Sequence, residues 1–330
     1  MRKALIASFA AALACTLVAS GCGSDEPAPP KRAVAPERLF TADVFPNAKY
    51  WSTPIPADAA IDPNSAMWVD YLMKRYEQRS LAAPFISLRR YAVPVWVGGP
   101  GDPMMRIGPC RSYPCPQADG AKVPVPESAK PDPGTDGHMV IIDERHNLEY
   151  DLFKAERDGN TWTGAGGAVV NYEKGDGGTG PIEGATAGHI ALLAGLIRPQ
   201  EVKRGRIDHA LQMSLPGIGT GPPRCPAEYS VDTVDDAQAP SEGTLYQLDP
   251  TLDVDAAKLP RITKIVARAL QKYGAIVVDH GGQIAFRGEN FVGKRVDPWE
   301  KLGFGDENSI SLKGVPLDRM RVIAQPVCGS

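Results

Sequence analysis

Asp136–Phe153 reads DGHMVIIDERHNLEYDLF, two apolar runs around a short polar stretch. Runs of this length, rich in branched and aromatic residues, read as two strands joined by a turn. Successive side chains of a strand point to opposite faces, so the register decides which residues meet. A turn at ERHN, residues 144–147, pairs Asp143 with Leu148. His138, Val140 and Ile142 then share a face with Glu149, Asp151 and Phe153, and His138 lies diagonally from Asp151. Asp136 joins that face if the strand begins so early, and its carboxylate would orient the imidazole. A turn one residue shorter or longer moves His138 to the face of Tyr150 instead. His146 falls in the turn and is expected in solvent. A histidine beside carboxylates is the usual equipment for acid–base cleavage of a glycosidic or ester bond. His138, Glu149 and Asp151 also make a conceivable cation-binding set. The plainer reading is a His–Asp pair on a solvated sheet edge.

A second histidine comes from RIDHALQMSL, residues 206–215, which reads as a strand. Ile207, His209, Leu211 and Met213 share one face, so adjacent Asp208 and His209 cannot pair. His209 on that apolar face is either a hydrogen-bonded core residue or, if the face lines a cleft, the best proton-transfer candidate in the chain. Asp136, Glu149 and Asp151 are its expected carboxylate partners. The expected catalytic set is therefore Asp136, His138, Glu149, Asp151 and His209. His189, after a Gly-rich loop, is a weaker candidate, and His280 in DHGG is expected to be exposed.

The remaining pattern is β-rich. Trp68, Leu72 and Tyr76 form a helical stripe in DPNSAMWVDYLMKRYEQ, and Ile262, Ile265, Val266, Ala269, Leu270 and Tyr273 form another before Gly274. HIALLAGLIRPQEVKRG reads as a short buried helix and a further helical turn ended by Gly205. RRYAVPVWVGG and TWTGAGGAVVNYE read as strands, and AIVVDHGGQIAF reads as a hairpin. The expected fold is a β-rich α+β domain, a sandwich-like antiparallel core with two or three packed helices. The 34 glycines and 31 prolines agree with many turns and short elements.

Residues 1–21 have the charged start and short apolar run of a signal peptide. VASGC then resembles a bacterial lipobox that would lipidate Cys22, departing from the usual pattern at Ala19. Residues 22–39 are polar and Pro-rich, a flexible tether, and 40–330 form the single β-rich domain. In an exported chain the four remaining cysteines are expected in disulfides. Three connectivities are open; the short CRSYPC loop favours Cys110–Cys115, leaving Cys225–Cys328. A zinc site fits their spacing poorly. A net charge of −3, with no basic aromatic-laced stretch, excludes nucleic-acid binding as the expected role. No phosphate loop or GxSxG elbow is present, and no cofactor is called for.

STPIPADAAIDPNSA, KPDPGTDGHMVIID, LEYDLFKA, ALLAGLIRPQEVKRGRIDHAL and ALQKYGAIVVDHGG together make the chain, from about Phe40 onward, resemble a family of exported actinobacterial proteins. The resemblance implies a secreted or surface location and supplies no activity. The residues then lead to a monomeric, membrane-anchored protein with a carbohydrate-active hydrolase or lyase site using His/carboxylate chemistry. The alternative is a non-catalytic glycan- or cell-wall-binding lipoprotein. In that case Trp51, Trp68, Trp96, Trp162 and Trp299 are the stacking candidates, with Trp162 and Trp299 the two expected at the surface. A purely structural envelope protein is the third reading.

Overall fold

A computed structural model describes residues 37–328, except 79–82, 181, 232 and 306. The signal peptide, Cys22 and residues 22–36 of the tether lie outside the described residues. The fold begins slightly before the expected boundary. A Glu37 carboxylate oxygen accepts the Arg295 N–H at 2.8 Å, and Arg38 donates to the Gly98 carbonyl at 3.0 Å.

The hairpin has the register derived above. Asp143 pairs with Leu148, Ile142 with Glu149 and Val140 with Asp151. Asn147 closes the turn in the left-handed region at φ 56°. Met139–Asp143 and Leu148–Phe153 lie at the centre of a five-stranded sheet, ordered 289–290, 93–97, 139–143, 148–153, 166–171. Its two faces follow the alternation of the sequence. Met139, Ile141, Tyr150 and Leu152 pack with Met105, Ile107, Val123 and Trp162 of a four-stranded sheet. Val140 and Ile142 pack on the other side against Ile276 and Val278 of a seven-stranded sheet. The hairpin is thus an inner layer, covered on both faces.

The seven-stranded sheet runs in the order 309–311, 85–87, 285–287, 211–215, 275–280, 245–248, 320–323. Its far face carries the helices: α1 (Ser65–Gln78), α2 (Pro199–Arg204) and α3 (Arg261–Lys272). Every position of the stripe read in α3 is buried. Burying each such aliphatic side chain contributes about 1.5–3 kcal/mol. The result is a β-rich α+β fold of layered sheets with three helices. The sheets are mixed rather than antiparallel throughout, because 85–87 pairs parallel with 285–287, 211–215 with 275–280, and 93–97 with 139–143.

Three elements differ from expectation. Ala275–His280 and Ala285–Arg287 do not form a hairpin, since Leu211–Leu215 inserts between them and pairs with both. TWTGAGGAVVNYE divides into Thr161–Thr163 and Gly166–Asn171, which belong to different sheets. Residues 190–197 form no helix, although Pro199–Arg204 does, ending at Gly205 with φ 85°. Gly195 is left-handed at φ 75°, and the backbone groups a helix would use internally go elsewhere. Leu192 N–H donates to Asp151 at 2.8 Å, and the Ala191 carbonyl accepts from the Gln212 amide at 2.8 Å. A buried irregular segment needs such partners, and the two facing sheets provide them.

Both favoured disulfides are present, with Cα–Cα distances of 5.6 Å for Cys110–Cys115 and 5.0 Å for Cys225–Cys328. They fit an oxidising, extracytoplasmic environment. No helix among the described residues is long and apolar enough to cross a membrane.

Candidate functional site

The expected catalytic set does not converge on one cavity. His138 is 2 % exposed, and Glu149 and Asp151 are both 0 % exposed, because the face they share is covered by residues 185–197 and the seven-stranded sheet. A substrate cannot reach them. His138 Nε2 meets the Ala185 carbonyl at 2.8 Å, so Nε2 carries the proton. Burial, helped by the nearby Arg287 charge, lowers its pKa to about 3, leaving the ring neutral. His138 is a core histidine and does not bond Asp151.

Glu149 and Asp151 are a buried acid pair. Burial pushes Asp151 up to about 7, although its bond from Leu192 and the Arg287 charge oppose the rise. Burial and the neighbouring Asp151 raise Glu149 well above the carboxylate range. Asp151 thus pins an inner loop, which is a structural task. Its folded pKa exceeds its unfolded value of about 4, so folding takes up a proton and stability is lost as pH rises through about 4 to 7. Burial likewise pushes Glu242 and Glu289 up to about 7, adding in the same direction. His138 acts oppositely, losing stability as pH falls below its ordinary 6.5 towards about 3. Asp151→Asn keeps an acceptor for Leu192 and removes one proton uptake. Thermal melting from pH 5 to pH 8 should therefore fall less steeply in the variant; equal slopes would mean that Asp151 is already ionised in the fold.

His209 is not on a strand, since the strand begins at Leu211. It lines a different cavity and pairs with Glu201 of α2, Nε2 to Oε1 at 3.0 Å, instead of the expected carboxylates. Its Nδ1 faces the Ala210 carbonyl at 2.8 Å. With both nitrogens engaged, it has none left to exchange a proton with a substrate. His189 meets the Gly180 carbonyl and stacks on Tyr229 at 4.8 Å between ring centroids, and His146 is bound to Asp143 at 2.8 Å. None of the five tryptophans is a surface platform, since all are at most 6 % exposed, Trp162 and Trp299 included.

Asp136 opens on a cleft of its own, apart from the cavity that His209 lines. This cleft, about 570 Å³, lies where the parallel strands Leu211–Leu215 and Ala275–His280 end. Irregular backbone at the carboxyl ends of parallel strands is where open sheets place their ligands. Ser87, Ser214 and Ser309 supply hydroxyls, and Arg90 and Arg287 supply guanidinium groups. Arg287 is held by Asp279 at 2.5 Å and by Gln212 at 3.3 Å. Burial raises the Asp279 carboxyl, Arg287 counters the rise and Asp136 adds to it.

Tyr91 completes the cleft and is 44 % exposed. Its φ is 57°, a conformation that bulky residues rarely adopt and that must be held by its surroundings. Asp132, 2 % exposed, holds it: Oδ1 accepts Tyr91 N–H at 2.9 Å and Gly134 N–H at 2.7 Å. Oδ2 accepts Ala92 N–H at 3.2 Å and the Asn290 amide at 2.8 Å. The backbone that carries the Tyr91 side chain at this polar cleft is thereby held.

No family model, curated protein or solved structure matches this chain.

Sequence reading missed Tyr91, Asp132, Asp279 and Arg287. The RRY segment was legible only as the start of a strand, and no periodicity marks a left-handed residue. DHGG and Asp136 were the signals for this cleft, but the first pointed to a turn and the second to the hairpin.

Proposed function

We propose that this protein is a surface-tethered, extracytoplasmic glycan-binding protein, anchored through a lipid on Cys22, whose ligand lies in the cleft beside Tyr91. The observation that carries the reading is the half-exposed Tyr91 side chain, on a backbone held at φ 57°, lining a cleft with hydroxyl, carboxylate and guanidinium groups. A sugar presents an apolar ring face bordered by hydroxyls, which suits an aromatic platform surrounded by mixed donors and acceptors. A backbone held in place before the ligand arrives spares the entropy of ordering it.

A glycan array on the full chain, followed by calorimetry on any hit, tests this. Tyr91→Ala should weaken binding about tenfold with only a small change in melting, because the residue is 44 % exposed. The absence of any hit, or equal affinity in the variant, would remove the proposal. A hydrolytic version would draw on Asp136, the carboxylate that lines the same cleft. Product analysis of a bound glycan separates the two, since new reducing ends appear only with an enzyme.

A further inference from the structure

The second cavity, about 440 Å³, is built from the segment LIRPQEVKRGRIDH and from residues 43–46 and 51–52. We propose that it binds a small oxyanion of the phosphate class. This proposal does not depend on the glycan reading.

The argument starts with His209. A backbone carbonyl and a carboxylate only accept, so an imidazole bonded to both through its two nitrogens carries two protons and a positive charge. That charge neutralises Glu201, whose side chain is 1 % exposed. Asp208 is similarly matched by Arg206 at 2.8 Å. Two guanidinium groups remain. Arg204 approaches those same carboxylates only at 3.5 and 3.7 Å. Arg198 is 6 % exposed and makes no ion pair among the described residues. One Arg198 nitrogen donates to the Ala42 carbonyl at 2.9 Å, and the guanidinium lies 5.9 Å from the centroid of the Phe40 ring. A buried guanidinium that lines a cavity without an ion-pair partner is costly unless an anion meets it. Guanidinium forks match phosphate oxygens in pairs, and two incompletely compensated cations suit a dianion. Exposed Asp43 at the rim is the opposing charge.

The test is titration of the full chain with inorganic phosphate, followed by calorimetry and phosphorus NMR. Wild type should bind saturably. Arg204→Ala should weaken binding about tenfold, and Asp43→Asn should tighten it severalfold. Both side chains are substantially exposed, so melting should stay unchanged and serves as the folding control. An absence of saturable binding to wild type overturns the proposal, as does wild-type affinity in both variants. A parallel titration with phosphatidylglycerol vesicles separates the sources: binding to vesicles without binding to free phosphate would assign the charge to a membrane surface and also overturn it.

Discussion

Removing the Cys225–Cys328 bond should lower stability by about 4.7 kcal/mol, the chain-entropy expectation for a loop of about 100 residues. The two cysteines are separated by 103 positions, and the enclosed chain includes Leu245–Leu248, α3, Ala275–His280, Ala285–Arg287 and the Met320–Ile323 edge strand. With Ser309–Ser311, the bond therefore restrains five of the seven strands of one sheet in the unfolded chain. Cys110–Cys115, with a separation of 5, closes a small loop, for which the same relation gives about 2 kcal/mol. Urea unfolding of C225A/C328A and C110A/C115A measures both. The long loop should cost clearly more than the short one. Local pairing already brings its ends together, Cys225 N–H to the Pro326 carbonyl at 2.9 Å and Cys328 N–H to the Pro223 carbonyl at 3.0 Å. If that clasp alone sufficed, the first variant would lose under about 1 kcal/mol, and the entropic argument would be wrong for this chain.

Asp132→Ala should cost about 4 kcal/mol, because buried donors left without acceptors each lose about 1–3 kcal/mol. Asp132 accepts four hydrogen bonds, three from backbone N–H groups and one from Asn290. Water has little access to these donors, since Asp132 is 2 % exposed. Asp132→Asn should be damaging as well, since one oxygen becomes an NH₂ group facing donors. Denaturant unfolding gives the stability loss, and the same variants should lose glycan binding with Tyr91 still present. Full stability in Asp132→Ala would mean that Tyr91 holds its backbone conformation without help.

The fold was more legible than the site, for a physical reason. Alternation in HMVIID and LEYDLF fixed the hairpin register, and the stripe in RITKIVARALQKYG fixed α3, because both patterns report which side of an element is buried. They do not report what covers it. His138, Glu149 and Asp151 were placed correctly on one face, but a second layer turns that face into core. The buried loop at 190–197 misled as a helix because its apolar content reflects burial alone, while its backbone is satisfied by Asp151 and Gln212. The cleft depends on residues far apart in sequence, Tyr91 with Asp132 and Ser214 with Arg287, which only the topology brings together.

One feature of the topology bears on motion. The chain passes twice from the seven-stranded to the five-stranded sheet, through residues 85–97 and 285–290, and the two passages run side by side in parallel pairing. At Gly288 a side chain would lie 2.6 Å from the Ser87 carbonyl, so the passages are in close contact. Layers stitched together in this way cannot slide past one another or swing apart as jaws. The Tyr91 cleft sits beside that seam, so its ligand meets a rigid mould, and any gating falls to the tips of the loops around it.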